Sequence, residues 1–379
     1  MRIAILSDIH ANHPALDAVL KHSKSLRVDS TWFLGDLIGY GPNPVEAMQW
    51  LKGDYSDEKG IKFPAPDAWV MGNHDAMMAD LSLQGKTGLT DEFFLNPSNR
   101  LNYPLPDDAA LPDDKPDGQG DRLMDFSIFE KDPAGTATDV VTYVGKSHGK
   151  FRSHLSWMDL GGVVPLRAIE LNRLALFENE DINKFWRREF TVDRIHSKKE
   201  HLDGVDYVLV HGGLANPLTD YIYPWYEILI PEEFRRLKLQ AEVDGFPRIQ
   251  LYGQTHVPTF VKVCSGKANG NFNFEIEKIF PGVSYSLLSG SDSTCLAIIN
   301  PGSVGQPRDA DTRAAYAILD TCEKTVTFQR VHYPNNEVAR KLSSKNYPRS
   351  LAQRILSAEP VSDTPEVWRE HYLRAREAG

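Results

Sequence analysis

The chain has 379 residues, 41% hydrophobic and 25% charged, with a formal net charge of −10. That length makes one large domain with additions, or two domains, and the composition is that of a globular protein. The acidic balance argues against general affinity for duplex nucleic acid or an anionic membrane, but a local cationic site could still bind a phosphate.

The apolar run in the opening "MRIAILSDIH" is too short for a signal peptide, and no later segment approaches a membrane span. Cys264, Cys295 and Cys322 are widely spaced with no CxxC, and read as reduced, mostly buried thiols of a cytoplasmic protein. Ile3 to Leu6 is a continuous apolar run, as expected of a strand buried on both faces. Pro14 then opens a helix with Leu16, Val19 and Leu20 at helical spacing. A second strand is expected over Thr31 to Leu34. Asn43-Pro44 reads as a cap leading into a helix, and Ala68 to Met71 reads as a third strand. Residues 1–80 thus read β-α-β-α-β.

Beyond Asp80 the pattern dissolves. Residues 81–201, including a Pro/Asp/Gly-rich stretch over Pro104 to Asp121, read as an insertion that could cap an active site, with helical patches such as Ile182 to Phe190. Strand signals resume at Tyr207 to Val210, Ile249 to Tyr252, Thr259 to Val263, Cys295 to Ile299, Ala314 to Leu319 and Thr325 to Val331. Several are too close for an intervening helix, so part of the sheet is expected to be antiparallel. Residues 1–80 and 202–335 form the expected core, and 336–379 a C-terminal helical segment. Its last helix, with Trp368 and Tyr372, is expected to pack on its own domain.

Five polar clusters each follow a strand directly: Asp8-Ile9-His10, Gly35-Asp36, Gly72-Asn73-His74-Asp75, His211-Gly212-Gly213 and Gly253-Gln254-Thr255-His256. Strand C-termini of an α/β sheet share one edge, where ligands bind. Singly each cluster is weak: an Asp after a strand is usually a cap, and a lone His a bystander. Together they bring carboxylates, an amide and imidazoles to one place. Such a set could hold two divalent ions, which stabilise phosphoryl charge and supply an activated water; a carboxylate such as Asp36 can bridge them. Mixed oxygen and nitrogen donors suit Mn, with Fe or Zn as alternatives, better than Mg or Ca.

These clusters, read as "SDIH", "LGD", "MGNHD", "VHGG" and "GQTH", resemble the calcineurin-like metallophosphoesterase superfamily. "GDLIGYGPNP" and "INPGSVGQPRDAD" resemble its bacterial predicted-phosphodiesterase branch; the likeness covers residues 1–79 and about 205–355. The resemblance implies a four-layer α/β/β/α sandwich with two mixed β-sheets, the metal site at the strand C-terminal ends. It assigns one metal to Asp8, His10 and His256 and the other to Asn73 and His211, with Asp36 bridging. It implies that a hydroxide shared between the metals attacks phosphorus, that His74 assists the leaving group, and that Asp75 orients His74. The substrate it implies is a small nucleotide-like or organic phosphate ester.

The family's second-metal histidine is Gln254 here. Glutamine offers a neutral carbonyl oxygen, a harder and weaker donor than imidazole, so either Gln254 ligates or it holds a water that does. The second site should bind less tightly. A binding or scaffold protein with an impaired second site is therefore the competing reading; a retromer subunit of the superfamily is a precedent. Asn12 is a candidate phosphate contact or a helix cap. The loop Asn300 to Arg308 could bring Arg308 to an anion or brace the site as a structural turn. Tyr40-Gly41-Pro42 could line the pocket rim or form a tight turn. "YIYPWYEI", Tyr221 to Ile228, could stack a nucleobase or serve as core. The sequence does not fix an oligomeric state.

Overall fold

The computed structural model describes residues 1–83, 163–190, 197–215, 217–218, 220–226, 229–244, 248–266, 272–287, 296–361 and 363–377. The expectations for Pro104 to Asp121 and Cys295 fall outside these residues.

The first unit is β1 (Arg2–Leu6), α1 (His13–Ser25), β2 (Ser30–Phe33), α2 (Pro44–Lys52), β3 (Ala68–Trp69) and α3 (Asn73–Leu83). Asn12 caps α1 by accepting from the Ala15 amide, and Pro14 supplies a preset φ in the first turn. Asn43 precedes α2 but its amide donates to Glu46 Oε1 instead of capping; Gly53, at φ +84°, ends that helix in the left-handed region. α4 (Val163–Phe177) and α5 (Glu180–Glu189) follow, and Asn179 caps α5 through the Ile182 amide.

β4 (Lys198–Leu202) and β5 (Val205–Leu209) then form a hairpin, followed by α6 (Leu229–Asp244), β6 (Arg248–Leu251), β7 (Thr259–Gly266), β8 (Phe272–Ile276), β9 (Ser284–Ser286), β10 (Leu296–Asn300), β11 (Ala314–Asp320) and β12 (Thr325–Val331). α7 (Asn335–Ser344), α8 (Arg349–Ser357) and α9 (Glu366–Glu377) close the chain.

The strands form two mixed sheets. One runs β3-β2-β1-β11-β12-β9, with β1, β2 and β3 parallel and the rest antiparallel. The other runs β4-β5-β6-β10-β7-β8, with β5, β6 and β10 parallel. Ile3, Ile5 and Trp32 of the first sheet pack against Tyr207, Leu209 and Ile249 of the second, so an apolar layer fills the space between them. The outer face of the first sheet is covered by α1, α2, α4 and α5, where Leu16, Trp50, Ile169 and Trp186 are buried together. Phe234 and Leu237 of α6 cover the outer face of the second against Val208 and Ile298. The architecture is therefore the expected four-layer α/β/β/α sandwich. No described helix is long and apolar enough to cross a membrane.

Three strands were not anticipated: β4, β8 and β9. β4 is the polar run Lys198-Lys199-Glu200-His201 closed by Leu202, with neither face fully buried. The one local cue is Asp203-Gly204, both at positive φ (+50° and +75°), a dipeptide suited to a two-residue hairpin turn. Cys322 is exposed, not buried as expected of the thiols. α9 does pack on its own chain: Tyr372 is buried with Tyr223 and Val257, beside Trp225 and Trp368. That contact draws Tyr223 of the aromatic run after His211 into the core, with Tyr221, Trp225 and Tyr226 partly buried against it.

Candidate metal centre

Asp8 and His10 follow β1, Asp36 follows β2 and Asn73 follows β3. His211 follows β5, and Gln254 and His256 follow β6. All leave the C-terminal ends of parallel strands, and the two sheets present those ends to one shared edge. The turns are tied to each other beyond the strands. Asp8, His10 and Ala11 amides donate to the carbonyls of Gly35, Asp36 and Leu37, and the Gly253 amide donates to the His211 carbonyl at 2.8 Å. Asp8, His10, Asp36, Gln254 and His256 all have φ between +48° and +68°. Non-glycine residues there cost about 1–3 kcal/mol each, and the surrounding bonds hold them.

The loop after β10 braces both halves. Ser303 Oγ and the Gly305 amide donate to the Asp8 carbonyl at 2.8 and 2.9 Å, and Asn300 Nδ2 donates to the Gly253 carbonyl at 2.6 Å. Its amides are thus used on the protein itself, and among its residues only Arg308 offers charge to an anion. A Cβ on Gly72 would lie 2.1 Å from Asp36 Oδ1, so glycine is required for that carboxylate to sit where it does.

His10, His211 and His256 share one arrangement. Each donates Nδ1–H to a backbone carbonyl: Ile38 at 3.1 Å, Leu34 at 2.7 Å and Gln306 at 2.6 Å. In neutral His10 and His256 this leaves Nε2 as a lone pair directed at the site, and His211 offers the same atom once its Nε2 proton is lost, as metal binding requires. His10 Nε2 faces His256 Nε2 at 3.1 Å, and His211 Nε2 faces Asn73 Oδ1 at 3.2 Å. Asp8 Oδ1 is 3.3 Å from His256 Nε2; Asp36 Oδ2 is 3.6 Å from His10 Nε2 and 3.4 Å from His211 Nε2.

Burial sets the charge states. It pushes the Asp8 carboxyl up to about 7, with Asp36 adding to the rise and His211 opposing it. Burial also lowers His10 and His256 well below the usual imidazole range, and takes His74 down to about 4. Against burial, Asp36 and Asp8 raise His211 to about 9; His211 and His74 in turn hold Asp36 below the usual carboxyl value.

The donors fit divalent ions. Both oxygens of Asp8 and Oε1 of Gln254 are buried without a hydrogen-bond donor. His10 Nε2 faces His256 Nε2 at 3.1 Å, acceptor to acceptor, an arrangement that a cation relieves. The donor atoms of Asp8, His10 and His256, of Asp8, Asp36 and His211, and of His10, Asp36 and His74 each lie within 4.8 Å of one another.

A family model described as calcineurin-like phosphoesterase matches residues 1–258. The chain belongs to the calcineurin-like phosphoesterase family. It is accordingly a metal-dependent phosphoric ester hydrolase. An uncharacterized protein of Methanocaldococcus jannaschii, MJ0912, is 23% identical over 354 residues, covering 93% of this chain and 96% of that one. In fold, this phosphoesterase is similar to a metallophosphoesterase from Sphaerobacter thermophilus (TM-score 0.51, 23% identity, 94% of this chain and 99% of that one). It is also similar to hypothetical protein PH1004 from Pyrococcus horikoshii OT3 (TM-score 0.53, 14% identity, 95% and 99%).

Two residues of this phosphoesterase do not do what the sequence suggested. Asp75 does not orient His74. Its carboxylate accepts from the amides of Asp36 (2.8 Å), Leu37 (3.0 Å), Ile38 (3.3 Å) and Gly72 (3.1 Å), so it shapes the turn that carries Asp36. Asn12 is spent as well: its oxygen caps α1 and its amide donates to the Gly305 carbonyl at 2.8 Å, so the cap reading replaces the phosphate contact. Arg308 is partly buried at the site. Its Nη2 is 3.5 Å from Tyr40 Oη and 3.3 Å from Gln306 Oε1, and its charge opposes protonation of His10, His74 and His256. Sequence reasoning missed Asn172 of α4, whose side chain grips the turn after Asp36; Asn300 opens the loop that the sequence offered as a structural brace, and it acts as one.

Proposed function

We propose that this phosphoesterase uses two divalent ions to hydrolyse a small nucleotide-like or organic phosphate ester, a phosphodiester or a phosphomonoester. Asp36 carries the reading, because one carboxylate oxygen lies within 3.6 Å of imidazole nitrogens on either side of it. Asp8, His10 and His256 would hold one ion and Asn73 and His211 the other, with Gln254 Oε1 completing the second set. The mixed donors favour Mn, with Fe or Zn as alternatives. Such ions, when bound, supply charge stabilisation for the phosphoryl oxygens and an activated water at neutral pH.

The chain's own groups do the rest. Asp36 also accepts the His74 amide at 2.9 Å, which places His74 beside the bridging position. His74 would then give the leaving oxygen a proton or a hydrogen bond. Arg308 supplies positive charge for a substrate phosphate in a protein whose net charge repels large polyanions. Within the 81–201 insertion, α4 and α5 belong to the sandwich, covering the first sheet, so a cap that limits substrate size would come from the remainder, most of which lies outside the described residues.

The competing reading, a weak or inactive binding protein, rests on Gln254 alone. Hydrolysis of an aryl phosphodiester with added Mn separates the two. The expected outcome is turnover that chelation abolishes and that His74→Ala lowers by on the order of 10²-fold with metal retained. No turnover with any divalent ion, or equal turnover in His74→Ala, contradicts the proposal.

A further inference from the structure

We propose that Tyr40 is the positioning residue for His74, and that Asn172 fixes Tyr40 for that purpose; the inference rests on reading His74 as the leaving-group donor. With Asp75 engaged on backbone amides, no carboxylate among the described residues hydrogen-bonds the imidazole. His74 Nδ1 is buried without a hydrogen-bond partner, so shape must hold the ring.

Tyr40 provides that shape. Its ring centroid is 4.5 Å from that of His74 and 4.6 Å from that of His10, and His10 meets His74 edge-on at 4.8 Å. Gly39 closes the other edge: at φ +131° a Cβ there would lie 2.6 Å from His74 Nδ1, so the backbone itself lies against that nitrogen. The Nδ1 edge is thereby covered, and Nε2 is left as the working nitrogen of the ring.

Tyr40 is in turn held from outside the site. Its 7% exposed side chain is buried with Ala168 of α4, Val338 and Leu342 of α7, Tyr347, and Leu351 of α8. Asn172, fully buried, grips the backbone on both sides of it. Its Oδ1 accepts the Gly39 amide at 3.0 Å, while Nδ2 donates to the Gly41 carbonyl at 2.9 Å and to Tyr347 Oη at 2.9 Å. A buried amide using both its ends on one turn fixes that turn closely, since any shift leaves a polar atom unpaired. A helix from the 81–201 segment and the C-terminal helices therefore set the orientation of His74 through one aromatic ring. The phenol oxygen has a separate contact, Arg308 Nη2 at 3.5 Å.

The test compares phosphodiesters of matched size that release 4-nitrophenolate or unsubstituted phenolate. Without a leaving-group donor, the poorer leaving group suffers more. His74→Ala is the reference and should lose more kcat, on the order of tenfold, on the phenyl ester. Tyr40→Leu and Asn172→Ala should show the same bias, and Tyr40→Leu should add none in the His74→Ala background. Tyr40→Phe should keep the wild-type ratio of kcat values while raising KM through the lost Arg308 contact. Asn172→Ala leaves the Tyr40 ring itself intact, so it decides the matter if Tyr40→Leu fails to fold. Equal loss on both esters in Tyr40→Leu and Asn172→Ala, with the bias present in His74→Ala, overturns the positioning role. A His74→Ala enzyme blind to the leaving group overturns the donor reading, and this proposal falls with it.

Discussion

Gln254 Nε2 donates to the Leu218 carbonyl at 3.3 Å, which leaves Oε1, buried and without a donor, as the atom available to the site. An amide oxygen is a weaker partner for Mn, Fe or Zn than an imidazole nitrogen. Gln254→His should therefore slow loss of the second metal by on the order of tenfold, the scale at which changes beside a metal alter its affinity. Metal per chain after timed chelation measures this; identical retention in the two proteins would remove Gln254 from the coordination set. At this scale the sequence was legible where residue type and chemistry coincide. Asp8, His10, Asp36, Asn73, His211 and His256 do converge. Asp75 was misread because its neighbour in sequence, His74, was the obvious partner, whereas its bonds go to amides near Asp36. Asn172 was invisible because the turn it grips lies 131 residues away, and nothing local marks the pairing.

At the scale of elements, α6 carries a group with a measurable pH signature. Glu233, 3% exposed, accepts the Leu214 amide at 3.0 Å, just past the His211 turn. Burial, helped by Asp220, raises its carboxyl from 4.5 up to about 7, against the pull of that amide. A raised acid contributes stability that is complete below its unfolded value and is lost as pH rises through its folded value. Between about pH 4.5 and 7 the wild type should thus lose on the order of 3 kcal/mol that Glu233→Gln, always neutral, does not lose. Urea unfolding of both proteins at pH 5 and pH 8 tests it; a stability difference that is the same at both pH values contradicts it. Elements were most readable where burial is two-sided: β1 and β10 carry the continuous apolar runs Ile3 to Leu6 and Leu296 to Ile299, while β5 and β6 are as buried but are interrupted by Asp206, Arg248 and Gln250. β4 has the opposite character. Its consecutive Lys, Lys, Glu and His show no apolar period and leave only the Asp203-Gly204 turn as a cue.

For the whole molecule, the decisive fact is that parallel strands of two separate sheets end at one edge. β1, β2 and β3 deliver Asp8, His10, Asp36 and Asn73; β5 and β6 deliver His211, Gln254 and His256; the loop after β10 ties the halves together. The order of polar clusters along the chain made this arrangement foreseeable, whereas the division of strands between sheets was not, since pairing such as β1 with β11 spans most of the chain. The arrangement places the Asp36 carboxylate between two sets of donors, and everything proposed about catalysis follows from its being shared. Elemental analysis of the protein reconstituted with Mn tests that sharing most directly, comparing wild type with Asp36→Asn. The account predicts two ions per wild-type chain and a variant that retains fewer than one; a wild type saturating at one ion, or an Asp36→Asn protein that keeps both, would contradict it.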